Sequence, residues 1–147
     1  MAKLFHRILC PIDFDENSLV ALDLGCKLAV ENEARVCLMH VLALPVTSAE
    51  LGPVPLEPYD VLEKDARAQL ERIARERIPA GVHCEIETSV GTPYHSIVAT
   101  QAKRGVDLIV MATHGRKRSV IGHFLLGSVA EHVVRESACP VLVVPPR

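Results

Sequence analysis

Val106-Asp107-Leu108-Ile109-Val110-Met111-Ala112-Thr113-His114-Gly115, then a basic turn, then Leu125-Leu126-Gly127-Ser128-Val129-Ala130-Glu131, is the stretch on which the fold turns. An apolar run stops at a small, polar turn that carries a glycine. A Gly-Ser pair then opens a helical pattern. The succession is strand, turn, helix N-terminus. At such a junction backbone N–H groups point outward, the helix dipole is positive, and glycine lets an anion come close. The stretch therefore predicts a phosphate-type anion site beyond the end of a buried strand.

Upstream, the same alternation repeats. Arg7–Asp13 is a short apolar run stopped by an acid, a buried strand. Asn17 or Ser18 is placed to cap the helix that follows, whose apolar positions Leu19, Ala21, Leu22, Leu24, Leu28 and Ala29 recur at helical spacing. Ala34–Leu42 is a second buried strand. Leu44–Pro58 holds four prolines and a glycine and reads as a loop. Tyr59–Ile78 is a charged amphipathic helix with Leu62, Ala66, Leu70, Ile73 and Ala74 inward, ended by Pro79-Ala80-Gly81. Val82–Val90 alternates apolar and polar, as a strand near a sheet edge does. Gly91-Thr92-Pro93 opens a helix running to about Lys103, with proline in its first turn. The strand Val106–Ala112 follows, then a helix from Gly127 to Glu136 and a last strand over Pro140–Pro145.

Strict β-α alternation with continuous apolar strands predicts a doubly wound α/β fold: a parallel sheet covered by helices on both faces. Ligands of such sheets bind beyond the carboxyl ends of the strands, where the winding reverses. Asp13 ends the first strand and Thr113-His114-Gly115 the fourth. If those strands are neighbours, an acid and a phosphate-type turn face each other across one crevice.

Bulk properties narrow the function classes. The 147 residues suit one domain spanning 1–147, and 49% hydrophobic residues argue against disorder. A net charge of −2 and 3% aromatics speak against a nucleic-acid partner. No apolar run is long enough to span a bilayer and the first residues do not read as a signal peptide, so no membrane partner is expected. Cys10, Cys26, Cys37, Cys84 and Cys139 form an odd set without a CxxC pair, which reads as reduced core thiols in a cytoplasmic protein. His6, His83, His95, His123 and His132 have no metal-ligand spacing, and His40 at a strand end reads as a tethered, half-buried histidine. Glu131 and Arg135, one helical turn apart, are expected to pair on the surface.

Taken together and in order, these pieces resemble the universal stress protein family over nearly the whole chain. The resemblance rests on Ile8-Leu9-Cys10-Pro11-Ile12-Asp13, His40-Val41, Gly91-Thr92-Pro93, Asp107 through Arg116, Leu126 through Glu131, and Cys139 through Val144. It implies a five-stranded parallel sheet in the order 3-2-1-4-5, which sets the first and fourth strands side by side. It also implies a homodimer through the last strand, Val141–Val144, whose apolar edge would be an aggregation liability if left bare. Members that bind ATP carry a glycine, two residues, a glycine, nine residues, then Gly-Ser or Gly-Thr. Here Ala112, Gly115, Gly127 and Ser128 hold those places. Alanine replaces the first glycine, and eleven residues, Arg116–Leu126, fill the longer gap. A methyl at position 112 fits if the backbone there keeps a negative φ.

The resemblance implies an adenine nucleotide, ATP with Mg2+ or AMP, held by Pro11, Asp13, Val41, Met111, Ala112, His114, Gly115, Arg116, Gly127, Ser128 and Val129. Asp13 would meet the adenine end and the Val41 backbone the base. Gly115, Gly127, Ser128 and Val129 would surround the phosphates. The plainer alternative is an N-cap or a turn residue after the strand at Asp13, turn glycines and a serine cap. His114 would face the phosphates or satisfy turn backbone; Arg116, Lys117 and Arg118 would neutralise phosphate or stay solvated. A stress-response regulatory module is the leading reading. A dimeric interaction module without nucleotide and a slow ATPase or autokinase are its rivals. No G-x-x-x-x-G-K-[ST] loop is present, no lysine follows the last strand, and no acid–base pair is evident.

Overall fold

The structure, a computed structural model, describes residues 2–44, 57–113 and 127–146. The chain runs β1 (Arg7–Pro11), α1 (Glu16–Asn32), β2 (Arg35–Ala43), α2 (Glu57–Arg77), β3 (Cys84–Gly91), α3 (Pro93–Arg104), β4 (Leu108–Ala112), α4 (Ser128–Glu136) and β5 (Val141–Val144). All strand pairs are parallel, in the order β3-β2-β1-β4-β5. This is the expected doubly wound architecture. Alternate residues of each inner strand feed two cores. Ile8, Cys10, Val36, Leu38, Leu108 and Val110 pack with α1 and α2 residues such as Leu22 and Leu70. Leu9, Met39, Ile109 and Met111 pack with Ile97 of α3 and Val133 of α4. Burial on both faces is why β1 and β4 read as unbroken apolar runs. The more polar β3 lies at one edge, as its alternation predicts, and β5 at the other.

Two local expectations are corrected. The cap of α1 is Asp15, not Asn17 or Ser18: its carboxylate accepts the Ser18 N–H at 2.8 Å, and the helix already starts at Glu16. Leu62 is not inward but 48% exposed. Its neighbour Glu63 takes the sheet-facing place on α2, accepting the Thr88 hydroxyl of β3 at 2.8 Å, and Ala66, Leu70 and Ile73 continue that face. Most element ends shift by a residue or two, β1 closing at Pro11 and β4 opening at Leu108. The proline-rich stretch 45–56 lies outside the described residues. Glu131 and Arg135 do pair, at 2.7 Å.

Gly25 sets how closely α1 lies on the sheet. A Cβ there would stand 2.6 Å from the Cys10 Sγ. Gly25→Ala is expected to destabilise by about 1–3 kcal/mol through overpacking, despite the better helix propensity of alanine. Adding Cys10→Ala should recover most of that loss. Urea denaturation of the two single variants and the double variant measures the coupling; strictly additive losses would show that the two sites do not touch.

Asp107 ties the start of β1 to β4. Its carboxylate accepts the His6 N–H at 2.8 Å and the Arg7 N–H at 3.0 Å. Burial raises its pKa, but the Arg7 and His6 donors outweigh that and hold it below the ordinary aspartate value. A depressed carboxylate stabilises the fold above the unfolded-state pKa, and that contribution disappears as pH falls through the folded value. Asp107→Asn should therefore cost about 1 kcal/mol at pH 7, a modest figure because the side chain is partly exposed. The gap to the parent protein should close as the pH is lowered from 5 to 3 in thermal melts. A pH-independent gap would contradict this.

Candidate functional site

The central strands part company at Pro11. Along β1, Ile12 donates its N–H to Met39 O of β2 at 2.8 Å, so the alternation turns the nitrogen of residue 11 toward β4. Proline has no N–H to give there. The β1–β4 ladder accordingly stops at Leu9↔Ile109, while β1 continues against β2 as far as Pro11↔Met39. The sheet opens at its carboxyl end between the two strands where the winding reverses, the place at which such sheets bind ligands.

One wall of the opening is the β1–α1 junction, and it is acidic. Asp13 accepts the Asp15 N–H on its Oδ1 at 3.1 Å and donates its own N–H to Ser18 Oγ at 3.3 Å. Ser18 is buried and gives its hydroxyl to Asp15 O at 2.9 Å. Burial raises the Asp15 carboxyl above its ordinary value and the Asp13 carboxylate adds to the rise, against the lowering effect of the Ser18 N–H. Between the two acids Phe14 adopts a left-handed backbone, φ 66°. A bulky residue there stores strain, a feature that concentrates at ligand sites. Its ring lies 4.4 Å from that of His40.

The facing wall is the N-terminus of α4. Gly127 occupies the cap position with φ −57° and ψ 151°, and no side chain among the described residues caps the helix. The first intrahelical bond runs from Glu131 N to Gly127 O. The N–H groups of Ser128, Val129 and Ala130 therefore precede the first bonded turn. They carry the positive end of the helix dipole, the arrangement that receives anions. Gly127 itself is pinned by its N–H to Thr113 O at 2.8 Å.

Between these walls, among the described residues, lies a cavity of about 410 Å³. That is within the range of ~300–1,000 Å³ common for small-molecule sites. The structure brings Pro11, Asp13, Val41, Met111, Ala112, Gly127, Ser128 and Val129 onto its lining. His114, Gly115 and Arg116 lie outside the described residues, as does the longer loop to Leu126. Ala112 is not among the residues of positive φ, so its methyl sits there without backbone strain. Cys10 is fully buried in the core and does not line the cavity. Burial pushes its thiol well above the ordinary value, which keeps it inert.

The lining also includes residues outside the expected site set, among them His40, Ser18 and Thr113. His40 is tethered as expected, its Nδ1 2.7 Å from Ile12 O, but it also forms cavity wall. Ser18 reads as a cap and is instead a buried strut beneath Asp13. Thr113 is 3% exposed with its hydroxyl unpaired among the described residues, and the period of two it shares with Ile109 and Met111 was the available signal. The same residues hold no group of three or more metal-ligating side chains.

The fold is that of a doubly wound α/β protein, with an acid and a helix N-terminus flanking a cavity at the switch point where such sheets bind ligands. The family model described as "Universal stress protein family" matches residues 4–145, and the chain belongs to that family. It is similar to universal stress protein MJ0577 of Methanocaldococcus jannaschii, 31% identical with 98% of this chain and 97% of that protein covered. Universal stress protein YxiE of Bacillus subtilis is 32% identical over 96% of this chain and 99% of its own length. The solved structure of MJ0577 superposes with a TM-score of 0.83 at 32% identity, covering 98% of each chain. A universal stress protein solved in complex with cAMP shares the fold, with a TM-score of 0.69, 22% identity, and coverage of 96% of this chain and 97% of that one.

Proposed function

We propose that this protein is a stress-response regulatory module that binds an adenine nucleotide between the carboxyl ends of β1 and β4. The observation that carries this reading is the opposite polarity of the two walls: carboxylate at Asp13, and on α4 the N–H groups of Ser128, Val129 and Ala130, which have no partner among the described residues. A ligand that suits both has hydrogen-bond donors at one end and negative charge at the other, as a nucleotide does. Asp13 and the Val41 backbone take the base and ribose, with Pro11, Met111 and Ala112 as floor. Gly127, Ser128 and Val129 take the phosphates, joined by His114, Gly115 and Arg116. ATP with Mg2+ is the ligand we favour, with AMP as the shorter form.

The assembly we infer is a homodimer through β5. That strand is a sheet edge, and Leu142 on it is 38% exposed. A second copy adding its own edge would pair the free backbone groups and cover that surface. No described helix is long and apolar enough to cross a membrane, and we place the protein in the cytoplasm. Nucleotide occupancy rather than fast turnover is the proposed output, because the lining described offers no activated nucleophile with a base beside it.

Equilibrium dialysis with labelled ATP and Mg2+, followed by native mass spectrometry, tests both parts. Two subunits each retaining one adenine nucleotide is the expected result. No retention at millimolar ATP would remove the nucleotide reading. Phosphate release at ordinary enzymatic rates would make the protein an enzyme instead.

A further inference from the structure

The β1–β2 ladder stops one rung short of where β2 could carry it. Arg35 of β2 donates its N–H to His6 O at 2.9 Å, on the β1 side, and Val36 donates to His83 O at 2.9 Å, on the β3 side. Pairing of β2 with β3 runs unbroken from Val36 to Ala43, so this alternation holds along the strand and odd-numbered amides face β1. Val41 is one of them. Ile12 N donates to Met39 O at 2.8 Å, and the next rung of a parallel ladder would join Val41 N to Ile12 O. No such bond forms among the described residues. Ile12 O accepts instead from the His40 ring, whose Nδ1 lies 2.7 Å away and bears the proton, since a carbonyl can only accept.

The imidazole acts from behind the crevice. Alternation along β2 sets His40 with Val36 and Leu38 on the α1/α2 side of the sheet, where the Phe14 ring lies 4.4 Å from it. The Val41 side chain packs on the opposite side, with Leu9, Met39 and Ile97. The Val41 N–H is left in the plane of the sheet, pointing at the gap that β1 vacates beyond Pro11↔Met39, and Val41 lines the cavity.

We propose that His40 is a positioning residue of this crevice: by occupying Ile12 O it arrests the β1–β2 ladder and leaves the Val41 N–H free to donate to the base. This rests on the nucleotide reading above and goes beyond it by naming what keeps that donor available. Ile12 is 5% exposed. Without the ring its carbonyl is a buried acceptor in need of a donor, and the Val41 N–H is the one the ladder would supply.

Amide hydrogen exchange and calorimetric titration of the full chain, His40→Leu and His40→Asn test this, with ATP and inorganic tripolyphosphate as probes. Leucine removes the donor; the asparagine side chain restores an N–H at a similar reach. In the parent the Val41 amide should exchange freely without ligand and become protected by ATP. In His40→Leu it should be protected without ligand, by roughly 10-fold or more, because the missing rung closes. ATP affinity should fall about 10-fold in that variant, the worth of one hydrogen bond. Tripolyphosphate, which engages the α4 wall alone, should bind as it does to the parent. His40→Asn should match the parent throughout. General loosening of the fold would speed exchange and weaken both ligands, so added protection at Val41 separates positioning from mere stability. The inference is overturned by a Val41 amide already protected in the free parent, a measurement that needs no variant to fold. It is overturned equally by an amide no better protected in His40→Leu, by ATP and tripolyphosphate weakening together, or by an asparagine variant that behaves like the leucine one. A parent that binds no ATP overturns the nucleotide reading and the role toward the base with it, while Val41 exchange shows separately whether His40 arrests the ladder.

Discussion

Gly127→Asp is expected to leave the protein as stable as before, or slightly more so, and to weaken its binding of nucleotide sharply. Gly127 stands at the cap of α4 with φ −57° and ψ 151°, a backbone that any L-residue adopts, and no side chain among the described residues caps the helix. Aspartate is among the best residues for that position and should add a few tenths of a kcal/mol over glycine. Its carboxylate would accept from the N–H groups of Val129 and Ala130, the donors otherwise left for phosphate, and would set a negative charge where another must bind. Losing charge-assisted bonds and gaining repulsion should weaken ATP binding by roughly 100-fold, about 2.7 kcal/mol. Gly127→Ala, which leaves the N–H groups free, should bind close to normally. Calorimetric titration beside thermal melts separates the two effects. An aspartate variant that binds ATP like its parent would show that phosphate does not sit on α4.

Pro11→Val should close the crevice from below. Valine supplies the N–H that proline lacks, aimed at the Val110 carbonyl on β4, one rung beyond Leu9↔Ile109. One more ladder bond in a buried central pair contributes about 1 kcal/mol. The β1–β4 opening that it draws together lies under the cavity, so nucleotide affinity should fall at least ~10-fold while the melting temperature rises; the affinity change is about 1.4 kcal/mol. Hydrogen exchange gives the direct check: the new amide should be among the well-protected ones. A fully exchanging amide with unchanged affinity would mean that the split does not depend on the missing donor.

The strands and the acidic lip were legible because their signals are local. Ile8, Leu9 and Cys10, and Leu108 through Met111, are covered on both faces and so read as unbroken apolar runs. Asp13 follows its strand by two residues and Gly127-Ser128 opens its helix, each a signal within a few residues of the element it marks. The adjacency of β1 and β4 came from family likeness, because periodicity says nothing about strand order. What the residue reading missed is long-range. Glu63 displaces Leu62 from the inner face of α2 through Thr88, 25 residues away. His40 owes its position to Ile12, 28 residues away, and to a left-handed Phe14 that nothing in the sequence announces. Pro11 sits inside the run read as a strand, and only the register with β4 shows that the β1–β4 ladder ends where its missing N–H would be needed. The cap of α1 failed for the opposite reason: Asp15, Asn17 and Ser18 all have capping chemistry within four residues.

Backbone amide spectra of the isotope-labelled protein, titrated with Mg2+-ATP, put the two-walled crevice to its most direct trial. Shifts gathered at Asp13 and Val41 on one side and at Gly127, Ser128 and Val129 on the other, saturating together with one affinity, are what a single nucleotide bridging both walls must produce. Shifts confined to one wall, or scattered over β3 and the outer face of α2 with both walls silent, would contradict it.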